Sequence, residues 1–412
     1  MPESNFVDAW GVTKYLDGSD VLIALAAVCA FAAGGAWLTL IKAPPTLGAT
    51  QEVSDARLLR ANKVLVLVTL AGYAAWTVIS VGRGVRPHHL IAMLSGSPGA
   101  FYELKQLTAP VGGITTLTQV APLAGALMGV LAARGAFRRV WRPALLMLGL
   151  AVVRGYFMSE RLAIMELALP FLVGFFVAVP RPVSRRRGGL ARAWFPPLYL
   201  AGAALVFVGF EFNRSWAYYR LTRSGGYLQF ATDRFVGYFA TAANNGALLA
   251  QGRLGAKPPL FSLQWLADFP VIGPHLGLGQ GRLPLNELLV GFGNPDFNTE
   301  GGLFAPRIDW GVVPSMLLWF ALGAAAIGIY RRVKAGNAAW VPLYASLYVG
   351  VLESGRYFYF GLGRAFVPIV VGLLLARHLG RPSPAVPWST AVQRLSRPAG
   401  PSESSGSAES YA

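Results

Sequence analysis

The sequence predicts an all-α, polytopic integral membrane protein of about 9–10 transmembrane helices, with a large external loop carrying short interfacial helices. Three observations predict it. The 412 residues are 54% hydrophobic and only 13% charged, with a mean hydropathy of +0.48, whereas soluble domains carry about a quarter charged residues. Apolar runs recur at 21–41, 64–81, 111–133, 143–158, 162–180, 196–212, 310–330, 339–352 and 357–376. Each is near the length a helix needs to cross a bilayer, 339–352 being the shortest. Basic clusters follow every second run.

In chain order, residues 1–20 read as an external N-terminal segment and 21–212 as a first transmembrane helix group. The first run begins near Val21 behind an acidic stretch, with no cleavable-signal pattern, and is expected to remain as a span. It holds Cys29, the single cysteine, so no disulfide framework and no cysteine-based zinc site is possible. Lys42, Arg57, Arg60 and Lys63 follow the first run, and Arg134, Arg138, Arg139 and Arg142 the third. Arg181, Arg185, Arg186, Arg187 and Arg192 follow the fifth, Arg331, Arg332 and Lys334 the seventh, and Arg377, Arg381, Arg394 and Arg397 the last. The positive-inside rule places all five on the cytoplasmic side, the N-terminus outside, and the chain as a multi-pass protein of the cell (cytoplasmic) membrane. These clusters account for almost all of the net charge of +17. Nucleic-acid binding thereby loses its main support.

Residues 213–307 then form the large external loop, about 95 residues long. WAYYRLTRSGGYLQF and DRFVGYFATAANNGALLAQ place aromatic and basic groups at helical spacing, as interfacial helices do. The following stretch breaks repeatedly at Pro and Gly, as an irregular cap would. Residues 308–380 are the second transmembrane helix group. The Pro-, Ser- and Gly-rich stretch 381–412 reads as a disordered cytoplasmic tail.

Candidate chemistry gathers on the external side. VVRGYFMSERLAIMELALP, residues 152–170, is apolar yet carries Arg154, Glu160, Arg161 and Glu166. Basic clusters on both flanks make 143–180 a hairpin with its turn at the outer boundary, where paired charge is tolerable. Two readings stay open there: an ion pair orienting the turn, or arginine holding an anion. Arg214, Arg220, Arg223 and Arg234 follow the sixth run, Arg307 precedes the seventh, and Arg356 lies between the eighth and ninth. Guanidinium binds phosphate oxygens through a fixed fork, so several arginines at one outer interface suit a lipid diphosphate; anchoring to headgroups is the plainer alternative. In NTEGGLFAPRIDWG, Gly301 and Gly302 allow close backbone approach to a ligand. Glu300 and Asp309 could accept a proton from a hydroxyl, although Asp309 equally suits a helix N-terminus. His275 is the lone histidine of the long loop and a third general-base candidate. His88 and His89 lack the further ligands that a metal needs. Tyr357, Phe358, Tyr359 and Phe360 read as an interfacial aromatic belt or as sugar-stacking rings. There is no GxxxxGK[S/T] phosphate loop and no DxD pair.

The order of apolar helices, the outer turn SERLAIMEL, the large loop after the sixth run and then FNTEGGLFAPRIDWGVVPSMLLWFALGAAAIGIYRR resembles the oligosaccharide repeat-unit polymerases, the Wzy-type O-antigen polymerases. The family's aromatic–acidic–aromatic–Gly step is matched by Ile308, Asp309, Trp310 and Gly311, with Ile308 where an aromatic is common. The resemblance implies a cell-envelope glycosyltransferase of polysaccharide biosynthesis. A glycan on undecaprenyl diphosphate or a similar polyprenyl diphosphate would pass, outside the membrane, to the sugar end of another repeat unit. Arginines would steady the leaving diphosphate and a carboxylate or histidine would deprotonate the acceptor. No metal or other cofactor is implied; a chain-length regulator protein is an implied partner. The alternatives are an O-antigen ligase-like transferase, a transporter or flippase of lipid-linked glycan, and a membrane scaffold.

Overall fold

A computed structural model of the protein describes residues 3–41, 53–95, 97, 100–158, 161–178, 197, 201–216, 219–220, 225–252, 257–269, 271–278, 280–294 and 297–380. Among these the chain is helix and turn, with one parallel bridge between Lys257 and Arg282. The predicted tail 381–412, the basic cluster 181–192, Glu160 and Arg223 lie outside the described residues, as does the side chain of Arg214.

A short helix α1 (Glu3–Trp10) precedes α2 (Gly18–Leu40). The start of α2 is fixed by Asp17, whose side chain accepts from Asp20 N at 2.9 Å in a reciprocal capping box. Then follow α3 (Asp55–Gly82), α4 (Pro87–Leu94), α5 (Ala100–Leu107), α6 (Ala121–Leu131), α7 (Phe137–Met158) and α8 (Leu162–Ala178). After α9 (Ala201–Glu211) comes α10 (Tyr227–Ala250), then three one-turn helices. The chain closes with α11 (Ala305–Trp310), α12 (Val312–Lys334), α13 (Val341–Glu353) and α14 (Gly363–Leu379).

Among the described residues four helical runs are long and apolar enough to cross a membrane: Gly18–Leu40, Asp55–Gly82, Thr115–Tyr156 and Val312–Lys334. Leu162–Ala178, Ala201–Glu211 and Ala338–Glu353 are apolar but shorter. Nine spans were expected, and part of the difference has a local cause. The 42-residue run Thr115–Tyr156 joins two expected spans. It breaks at Gly135, whose φ of 88° only glycine adopts without strain. Arg154 Nη1 donates to Thr118 Oγ1 at 3.0 Å, so the far ends of the run lie side by side and it is a hairpin.

The core is centred on α6, where every residue from Pro122 to Leu131 is buried. Leu58 and Leu65 of α3, Leu167 of α8 and Val341 of α13 pack on it. Contact is close because small residues meet backbone. A Cβ on Gly129 would land on Phe171 O, and one on Gly174 on Ala126 O, the small-residue packing of helices in lipid. The same device joins α2 to α12, the most extensively packed pair of helices in the fold. A Cβ on Gly34 would meet Phe320 O, and one on Gly323 would meet Phe31 O. The pair forms an arm beside the bundle.

The described residues of four of the five expected basic clusters meet at one end of the molecule. Arg57 Nη2 donates to His378 O at 2.9 Å. Arg134 pairs with Asp55 at 3.0 Å, and Arg331 Nη2 donates to Thr39 O at 2.9 Å. The last turn of α12 carries Arg331, Arg332 and Lys334, the signs that its dipole favours there.

The large loop differs from expectation. Tyr227–Ala250 is a single helix of 24 residues, not a set of short interfacial ones. Thirteen of its residues are buried, among them Arg234, Asn244 and Asn245. Asn244 holds the N-terminal segment against it, accepting from Tyr15 N at 2.6 Å and donating to Thr13 O at 2.8 Å. The stretch 258–286 keeps the predicted irregular character, with one-turn helices Gln264–Ala267 and Ile272–His275 and a third, Leu285–Leu288, at its end.

Candidate functional site

The other end of the bundle holds the buried charge. Glu211, at the last turn of α9, is fully buried. Two arginines reach it: Arg161 Nη2 from the start of α8 at 3.1 Å, and Arg234 Nε from α10 at 2.7 Å. Arg161 Nη2 also donates to Tyr238 Oη at 3.0 Å. Its guanidinium lies 3.9 Å from the Phe207 ring centre, and that of Arg234 lies 4.8 Å from the Phe297 ring. Arg356 completes the group, its guanidinium 5.2 Å from the Tyr238 ring, with Glu353 its partner at 3.4 Å. Three guanidinium groups therefore surround one tyrosine and face two carboxylates. The cluster holds its guanidinium groups in a largely buried place, where an interaction with an anion is stronger than in water.

Of the arginines singled out in the sequence, the fold brings together Arg161, Arg234 and Arg356. Arg154 is spent on the α6–α7 hairpin, and Arg220 is exposed. Arg307 belongs elsewhere. It pairs at 2.7 Å with Asp20 of α2, which is 1% exposed and also accepts from Gln251 Nε2 at 3.3 Å. That pair ties α11 to the start of α2, which gives Arg307 a structural place in the fold.

The three proton-acceptor candidates separate. Asp309 sits in the last turn of α11, not at a helix N-terminus. Its carboxylate accepts from Ser262 N at 2.6 Å and Phe261 N at 3.3 Å, capping the turn Phe261–Leu263. Burial raises its pKa, against those hydrogen bonds. His275 is exposed and bonds back to Val271 O at 2.6 Å, far from a role in the cluster. Glu300 is buried and accepts from Phe358 N at 2.8 Å. Burial pushes its pKa up to about 7, the bond from Phe358 opposing. Gly301 N donates to Arg356 O at 2.8 Å, so Glu300 stands directly behind the segment that carries Arg356. Gly301 (φ 68°) and Gly302 serve this contact rather than a ligand: a Cβ on Gly302 would strike Tyr357 O.

The aromatic run 357–360 is not a belt facing lipid. Phe358 and Tyr359 are each 2% exposed. Tyr359 Oη donates to Glu166 Oε1 at 2.9 Å, with Arg364 3.8 Å from the same oxygen. Glu166 is thus an internal carboxylate held by a hydroxyl and a cation of α14. Sequence reasoning missed Glu211 as the hub and Tyr238 as its neighbour. The available signal was an acid ending an apolar run, VFVGFEFNR.

Beside the segment lies a cavity of about 600 Å³, lined by one face of α12 and by α13 and α14. Among the described residues no three His, Cys, Asp or Glu side chains gather to hold a metal ion. Comparison of the chain with protein-family models, curated proteins and solved structures finds no match.

Proposed function

We propose that the chain is a glycosyltransferase of the cytoplasmic membrane that polymerises polyprenyl-diphosphate-linked oligosaccharide units at the end of the bundle opposite its basic clusters. The observation that carries this reading is the convergence of Arg161, Arg234 and Arg356 on Tyr238. In the reaction, an acceptor hydroxyl oxygen bonds to the anomeric carbon of the donor. The carbon–oxygen bond to diphosphate breaks, and its electron pair leaves on the polyprenyl diphosphate. Fixed guanidinium groups meet the charge as it develops, at no cost of reorganisation. Glu300 takes the acceptor proton in this scheme, because a carboxyl of pKa near 7 exchanges protons at neutrality. The resemblance in FNTEGGLFAPRIDWG agrees with this assignment of the segment.

The test is the glycan made by cells carrying single variants. Arg161→Lys keeps the charge facing Glu211 and is expected to fold, yet to leave single repeat units in place of long polymer, because the planar fork is lost. Normal polymer length at normal protein level removes Arg161 from the reaction. Long chains accumulating on the lipid carrier in a deletion strain would point to a ligase-like transfer instead.

A further inference from the structure

The cavity beside the aromatic run has a shape that the proposed transfer alone does not explain. On α12 it follows Pro314, Leu318, Leu322, Ala325 and Ile329, spaced three or four residues apart, which is one stripe of a helix. Fifteen residues of rise make that stripe roughly 22 Å long, most of the roughly 30 Å hydrocarbon thickness of a bilayer. The facing wall is Leu343 and Leu347 of α13 with Ile369 and Leu373 of α14. The cavity exists because α12 packs along α2 and leaves the bundle between its two ends. At the basic end Tyr330 meets Tyr344 with ring centres 5.5 Å apart. At the charged end Trp319 meets Phe358 at 5.6 Å. Between them the cleft opens sideways, past Leu317 and the exposed Ala325.

Its upper end is not purely apolar. Ser315 lines it, is fully buried, and its hydroxyl has no hydrogen-bond partner. A buried hydroxyl without a partner costs free energy unless something supplies one. The same end is walled by Phe358 and Phe360, two and four residues after Arg356 of the guanidinium cluster. One molecule with an anionic head and a long single apolar tail therefore matches both features: head beside Arg356, chain down the α12 stripe.

We infer that the cleft between α12 and the α13–α14 pair seats the isoprenoid chain of the lipid-linked donor, entering sideways from the membrane. This rests on the proposed transfer for the identity of the head and on the cleft for the place of the chain.

The test uses the full-length protein in nanodiscs and a polyprenyl monophosphate bearing a photoreactive diazirine midway along its chain. Irradiation is expected to label peptides within 314–329 and those holding Leu347 and Leu373. Unlabelled polyprenyl monophosphate should abolish the labelling, and phosphatidic acid, with the same head and two acyl chains, should not. Ala325→Leu lies at an exposed position, so folding is preserved, and should weaken labelling several-fold. Leu322→Trp blocks the stripe and should weaken it about tenfold, the equivalent of roughly two buried methylene groups. Labelling confined to the outer face of α2, or equal competition by phosphatidic acid, overturns the assignment. The two proposals fail separately. If a strain lacking the protein retains full polymer while the cleft is labelled, the transfer reading falls and the cleft stands. If Arg161→Lys loses polymer while the cleft stays unlabelled, the reverse holds.

Discussion

Glu211 is a carboxylate that no water reaches, and a single cation would already neutralise it. Two are present, and removing either leaves the other to compensate. Arg307 and Asp20 have no such redundancy, because Asp20 is buried and Arg307 is its cationic partner at 2.7 Å. Breaking a buried pair by deleting one partner typically costs about 3–5 kcal/mol. Arg307→Ala is therefore expected to lower the unfolding temperature, and Asp20→Asn in the same chain to recover part of the loss. Thermal unfolding in detergent checks both, and an unchanged melting point for Arg307→Ala contradicts the structural role given to it.

Glu300 sets a pH dependence of its own. Its folded pKa of about 7 lies above the ordinary value of 4.5, so between those values the folded chain binds more protons than the unfolded one. Stability from this group is therefore full below about pH 4.5 and lost as pH rises toward 7. A shift of this size corresponds to roughly 3 kcal/mol. Glu300→Gln should remove that decline, giving a variant more stable than the native chain at pH 8 and no more stable at pH 4. Identical pH profiles for the two proteins would show that Glu300 is not held in its protonated form.

At the scale of elements, glycines decide which helices approach. Gly34 and Gly323 face each other's backbones across α2 and α12, where no side chain fits. Gly34→Leu and Gly323→Leu should each destabilise the chain by about 1–3 kcal/mol through overpacking. Gly149→Leu on α7 is the control, since nothing lies within 4 Å of a Cβ there, and it should leave the melting temperature unchanged. Equal losses at all three positions would mean that the arm is not held by close contact. The helix α10 is the element least visible in the sequence. Its buried face mixes Phe230, Leu248 and Leu249 with Arg234, Thr241, Asn244 and Asn245. Asn245 spends its amide on Phe297 O and Thr299 O at 2.8 and 3.0 Å. Polar positions read as solvent-facing when periodicity alone is consulted, and only tertiary hydrogen bonds reverse it.

For the molecule as a whole, length and hydropathy made the helical class legible, and the alternation of basic clusters anticipated that Arg57, Arg134 and Arg331 gather at one end. Span number was less legible, because a glycine at 135 folds one continuous helical run in two and several apolar stretches end short. The site was legible as a list of arginines but not as a grouping. Arg161, Arg234 and Arg356 are far apart in sequence, and nothing local distinguishes them from Arg307, which the fold commits to Asp20. Asp309 drew notice through its motif, yet its oxygens are taken by two backbone amides; no linear pattern reveals that.

The most direct measurement is made with purified protein in proteoliposomes supplied with a polyprenyl-diphosphate-linked repeat unit. The account predicts lipid-linked products of two and more units, one free polyprenyl diphosphate released per new linkage, and loss of both in Arg161→Lys and Arg234→Lys. Intact donor after prolonged incubation with folded protein, or release unaffected by both arginine changes, would contradict it.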